Sequence, residues 1–163
     1  MKKIAVLFVA LFMVAAMASA QHGGGGPQHG PEGEHGPGGG AIVGSDGTLY
    51  LANGTSITAV RSTGTVAWTA TAAGHVTLSD GNLIVESDAR ATDGTVTTTL
   101  TAISTASGAT AWTKTITGHV ELFAFNGGTY ALVIVPAATS GGTATRSLIG
   151  ISNSGATLFT LAL

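Results

Sequence analysis

The sequence predicts an all-β protein built from three related units of four short antiparallel strands, and three observations predict it. Gly supplies 25 of the 163 residues and Thr recurs throughout. Branching at Cβ suits Thr to a pleated strand, and Gly supplies the positive φ that tight turns need. After the first twenty residues, no long stretch carries an apolar period of helical spacing. A Thr/Ser-Gly turn followed four residues later by an aromatic also occurs three times: Thr63-Gly64 with Trp68, Ser107-Gly108 with Trp112, and Ser154-Gly155 with Phe159.

Residues 1–20 open with Met1-Lys2-Lys3, continue in an apolar run from Ile4 to Met17, and end in Ala18-Ser19-Ala20. A charged start, a hydrophobic middle and a small-x-small end form the pattern of a secretory signal peptide. The apolar run is short for a membrane span, and no second run of that length follows. Localisation is therefore expected to be periplasmic or extracellular, in a bacterial host. Residues 21–40 are rich in Gly, His and Pro. Gly is costly to order, Pro interrupts regular structure, and nothing in the stretch can be buried in compensation, so a disordered linker is expected. His22, His29 and His35, with Glu32 and Glu34, are candidate ligands for Zn, Cu or Ni. Their irregular spacing favours a plain flexible tether instead.

Residues 41–163 form the repeat domain, with units at about 41–74, 75–118 and 119–163. Trp68 and Trp112 lie 44 apart, and Phe159 follows 47 later. Gly74-His75-Val76 recurs as Gly118-His119-Val120. Asp46-Gly47-Thr48-Leu49 recurs as Asp80-Gly81-Asn82-Leu83, and Asn126-Gly127 holds the comparable turn later. A period in the forties means one supersecondary unit per repeat. In the second unit the strands are expected at about 75–79, 83–88, 97–104 and 110–116, with a tight hairpin at Asp80-Gly81 and a longer polar connection over 89–95. The third unit has a looser loop around residues 140–142. Ala59, Ala102 and Gly150 are small residues in the third strands, which is expected to let neighbouring sheets approach closely. The aromatic of the fourth strand then covers the next sheet. Gly64, Trp68, Gly108, Trp112, Gly155 and Phe159 are thus expected to be packing anchors.

These residues resemble the repeat of the pyrroloquinoline-quinone-type, or quinoprotein-like, β-propellers, in which a Thr-Gly turn precedes a Trp by four residues. The resemblance covers about residues 41–163 and implies propeller-like blades. Arg61, Ser104 and Ser152 stand where that family has Asp, and Phe159 replaces the third Trp. The family's cysteines and calcium ligands have no match, so the resemblance concerns the scaffold and implies no bound quinone. Closed propellers have roughly four to eight blades. Three units therefore leave an arc covered by a partner, or a ring completed by oligomerisation. The alternative is a threefold β-trefoil or β-prism, although the ricin-type Gln is absent, with Val66, Thr110 and Thr157 at its place.

Function classes narrow accordingly. With the leader removed, Arg61, Arg90, Lys114 and Arg146 face eight acids, a net of −4. That balance opposes binding to nucleic acid or anionic lipid. The absence of Cys excludes disulfides, thiolate metal sites, a Cys nucleophile and a lipidated N-terminal Cys. His75 and His119 open successive repeats, which suits turn or packing roles better than an asymmetric active site. Asp80, Glu86, Asp88 and Asp93 cluster in one repeat, with Glu86 and Asp88 on one strand face in what reads as a solvated hairpin. The alternating Thr of residues 95–101 suits a solvent-facing strand, with ice or sugar binding as the other reading. No hydrolase elbow, zincin motif or P-loop occurs.

A non-catalytic exported scaffold that binds a protein or itself, without a cofactor, is the expectation. A lectin-like carbohydrate-binding module and a fragment of a quinoprotein-like enzyme are the alternatives. Mass spectrometry of the exported protein is expected to find Gln21 as its first residue, and an intact Met1 would overturn the leader assignment.

Overall fold

The computed structural model describes residues 39–137 and 142–163. The leader, His22, His29, His35 and part of the loop around residues 140–142 lie outside the described residues. Twelve strands follow one another: β1 (Gly39–Val43), β2 (Leu49–Asn53), β3 (Ser56–Val60), β4 (Val66–Thr71), β5 (His75–Ser79), β6 (Asn82–Arg90), β7 (Val96–Ser104), β8 (Thr110–Thr117), β9 (His119–Phe125), β10 (Gly128–Val135), β11 (Thr145–Ser152) and β12 (Thr157–Ala162). They form three separate four-stranded antiparallel sheets, β1–β4, β5–β8 and β9–β12, each in simple sequential order. The protein is thus all-β, with one sheet per repeat. No helix among the described residues is long and apolar enough to cross a membrane.

Turn chemistry sets these hairpins. Asp80 and Gly81 both take positive φ, at 23° and 84°, the conformation of a two-residue turn whose twist matches the flanking strands. Two boundaries differ from the sequence expectation. β1 begins at Gly39, inside the expected linker, because Gly39 and Gly40 pair with Asn53 and Ala52. The connection in the second unit shrinks to residues 91–95, because Ala89 and Arg90 pair with Thr97 and Val96.

Side chains alternate between faces along each strand, and the middle sheet is buried on both. Leu83, Val85 and Ile103 pack with Tyr50, Ile57 and Ala59 of the first sheet. Ile84, Leu100, Ala102 and Ile116 pack on the opposite side with Val120, Ala131, Val133 and Ile151 of the third. A β-trefoil or β-prism would gather three repeats round one shared core. Two cores flanking a central sheet are instead the arrangement of successive blades.

One row of residues recurs across all three sheets. Tyr50, Ala59 and Trp68 lie side by side in the first. Ile84, Ala102 and Trp112 do so in the second, and Tyr130, Gly150 and Phe159 in the third. The register slips immediately after each small residue, between Ala59 and Val60, Ala102 and Ile103, and Gly150 and Ile151. A bulge at the same place in every repeat adds one residue and re-aims the aromatic. The small residue also has a second use within its own sheet. A Cβ on Gly150 would come within 2.5 Å of the Phe159 ring. At Gly150 the missing side chain makes room for the aromatic of its own sheet, while Ala59 and Ala102 lie fully buried in the two cores between sheets.

Leu100 is fully buried between the second and third sheets. Leu100→Ala is expected to lower stability by about 2–5 kcal/mol, read as a fall in the urea midpoint at unchanged slope.

Candidate functional site

Each joint between sheets is built from one aromatic and one turn. The Trp68 indole lies against the turn of the second sheet, where a Cβ on Gly108 would meet its ring at 2.6 Å. Its Nε1 donates to the Thr105 carbonyl at 2.9 Å. Trp112 repeats the arrangement one sheet later. A Cβ on Gly155 would meet its ring at 2.8 Å, and its Nε1 donates to the Asn153 carbonyl at 2.8 Å. Gly108 and Gly155 also carry positive φ, so a side chain there is excluded by backbone and by ring alike.

Further polar contacts fix the second joint. The Lys114 ammonium donates to the Gly155 carbonyl. Asp80 accepts from the Gly127 backbone N–H and from Asn153 Nδ2. Ser79 Oγ donates to the Gly128 carbonyl at 2.6 Å while accepting from Thr129 Oγ1. Asp80 and Lys114 were not legible as joint residues, because their partners lie 47 to 73 and 41 positions away.

Among the described residues the joint is made twice, and its two parts recur once more on the outer sheets. Phe159 occupies the place of Trp68 and Trp112, but no fourth sheet follows among the described residues. Its ring leans on Tyr130, with centroids 6.1 Å apart, and remains 43% exposed. Phe125 stacks on Tyr130 at 4.2 Å, and Phe123 beside it is exposed. At the opposite end Gly64 has the same positive φ as Gly108 and Gly155. A Cβ built on it meets nothing within 4 Å among the described residues.

The exposed large hydrophobics divide the same way. Val43, Leu51 and Val66 belong to the first sheet; Phe123, Leu158, Phe159, Leu161 and Leu163 belong to the third sheet or directly follow it. The middle sheet contributes none. Leu51 is 41% exposed, whereas its counterparts Val85 and Ala131 are 3% and 0% exposed. Concentrated apolar surface of this kind marks an interaction site, where scattered single residues would not. A signal for it was present in the sequence: every Phe beyond the leader lies in the third repeat.

The charged residues form a second group. His119 Nδ1 lies 3.0 Å from Asp88 Oδ2. Asp88 Oδ1 accepts from Thr98 Oγ1 at 2.6 Å. Glu86 is only partly exposed, which differs from the solvated hairpin expected. The longer β6 carries it into the space between sheets, on the same face as Ile84. Burial pushes its carboxyl up to about 7, the charges of Asp88 and Glu121 add to the rise, and His119 opposes it. His75 pairs with Glu86 across the β5–β6 ladder, whereas His119 pairs with Ile134. The two histidines both open a sheet, yet they have different surroundings. Among the described residues, no group of three His, Asp or Glu side chains is placed to hold a metal ion.

A cleft of about 320 Å³ lies between the first two sheets, lined in part by Asp46, Tyr50, Leu78 and Asp80. Its carboxylates are already engaged. Asp46 accepts from the Thr48 N–H and hydroxyl, and Asp80 accepts from Gly127 and Asn153. No paired acid and base stands ready there.

Two measurements check these assignments. Trp112→Phe keeps the ring and removes the indole donor, so a loss of about 0.5–1.5 kcal/mol is expected in chemical denaturation. Glu86, protonated in the fold and ionised in the unfolded chain, makes stability fall as pH rises from about 4.5 to about 7. Glu86→Gln is expected to flatten that part of the stability–pH curve and to raise stability above it.

No protein-family model matches the chain, and no curated protein matches its sequence.

Proposed function

We propose that this chain is an exported, non-catalytic, propeller-like repeat module that acts as a scaffold by binding protein through its two end faces. The observation that carries this reading is the placement, among the described residues, of every exposed large hydrophobic side chain on or beside an outer sheet. In a stack of repeats each unit contacts only its neighbours, so the end units need polar outer faces or a partner. Here the outer faces are apolar, which supports a partner. The quinoprotein-like pattern of turn and aromatic supports the blade comparison, and the N-terminal segment supports export. The engaged carboxylates of the cleft and the packing of Glu86 favour a structural role for the charged residues over a catalytic one.

A photo-crosslinking amino acid placed at Leu51 or Phe159, in cells producing the protein, is expected to trap protein adducts. The same probe at Thr113, an exposed strand position of the middle sheet, serves as the comparison. Protein adducts confined to the two end-face positions support the scaffold. Equal labelling at all three positions, or none at any, overturns it.

A further inference from the structure

The two end faces are not merely both apolar; each carries one of the two parts from which the joints between sheets are built. The third sheet presents an aromatic in the place of Trp68 and Trp112, beside the small Gly150 and after the same bulge. The first sheet presents the turn on which such an aromatic sits. Its backbone N–H of Arg61 bonds the Thr65 carbonyl, as Ser104 bonds Ala109 and Ser152 bonds Ala156. Ser62 therefore corresponds to Thr105 and Asn153, whose carbonyls receive the indole N–H. The apolar surroundings match as well: Leu51 and Val60 hold the positions of Val85 and Ile103, which cover the first sheet from the second.

We propose that the partner of these faces is a second copy of this chain, docked head to tail. In that joint Phe159 of one copy lies on the Ser62–Gly64 turn of the other, and the same contact is made at the opposite end. This rests on the scaffold reading above and names its partner. The interface continues the two joints already present within the chain, with the same small residue, bulge, aromatic and glycine turn. Making the same joint at both ends joins the three described sheets of each of two chains into six, within the roughly four to eight blades that close a ring. Head-to-tail contacts either close or propagate, and closure removes both exposed faces at once. The chain's own tail is a poor occupant, because residues 21–38 contain no aliphatic, Phe, Tyr or Trp side chain.

Phe159 has no N–H, so the Ser62 carbonyl receives no indole bond at this joint, unlike Thr105 and Asn153. The contact between copies is consequently the weaker version of the contact within them.

The test uses the full exported chain, Phe159→Arg, Leu51→Arg and Phe159→Trp, each sized in solution by light scattering. Both Arg sites are well exposed, so the variants should fold, and far-ultraviolet circular dichroism checks this. The wild type is expected as a single dimeric species. Each Arg variant alone is expected to fall to the mass of one chain. Mixing the two restores one joint, because one keeps an intact turn face and the other an intact aromatic face, and a two-chain species returns. Phe159→Trp is expected to tighten association on the order of tenfold, from one added hydrogen bond at each of two joints. A monomeric wild type, an open-ended series of oligomers, or Arg variants that fail to recombine overturn the proposal. A monomeric wild type together with end-face crosslinks to a foreign protein overturns self-pairing while leaving the scaffold intact.

Discussion

An aromatic ring lying on a glycine turn holds these sheets in sequence. Apolar burial alone would let two flat sheets slide over one another, because the hydrophobic effect is non-directional. The indole removes that freedom. Its face needs a position without a Cβ, its N–H needs one particular carbonyl, and its own strand needs a bulge and a small neighbour. Those requirements meet at Trp68 on Gly108 and again at Trp112 on Gly155. Spacing, order and relative rotation of the sheets follow from satisfying them together.

The surrounding polar contacts reinforce the same register. Ser79, Thr129 and the Gly128 carbonyl form a buried chain across the second joint, and Asn82 reaches the Asn153 carbonyl beside the Trp112 indole. Among the described residues no buried side-chain polar atom lacks a partner. Each such bond contributes modest net stability, but leaving one unmade in a low-dielectric joint is expensive. Sliding by one residue would break the set at once. The middle sheet is held this way on both faces.

The same device explains where interaction is concentrated. A repeat that donates an aromatic on one side and accepts one on the other is incomplete at both ends of any finite stack. The ends of this module carry that incompleteness as Phe159 without a turn beneath it and Gly64 without a ring above it among the described residues. The ion pair of His119 with Asp88 lies elsewhere, at the start of β9, where the second sheet meets the third. Asp88 is tied to Thr98, and the partly buried Glu86 gives the inter-sheet packing a pH dependence.

The sequence by itself determined the class, the number of repeats and most of the strands. Thr-rich runs, Gly turns and a landmark spaced in the forties act locally, and local chemistry can be read along a chain. It also marked the six anchor residues, because a Gly-to-aromatic offset of four survives in all three copies. Only the tertiary structure decided what the anchors touch. Trp68 reaches forward 37 residues to Thr105, and Trp112 reaches 41 to Asn153, contacts that no strand period encodes. Only the structure distinguished blades from a trefoil or prism, since the same twelve strands can share one core or form two. It also set Gly150 against the ring of Phe159, and drew Glu86 partly out of solvent. The reason is common to all of these: they depend on which faces meet, and face-to-face contact is set by the summed fit of whole sheets rather than by neighbours in sequence.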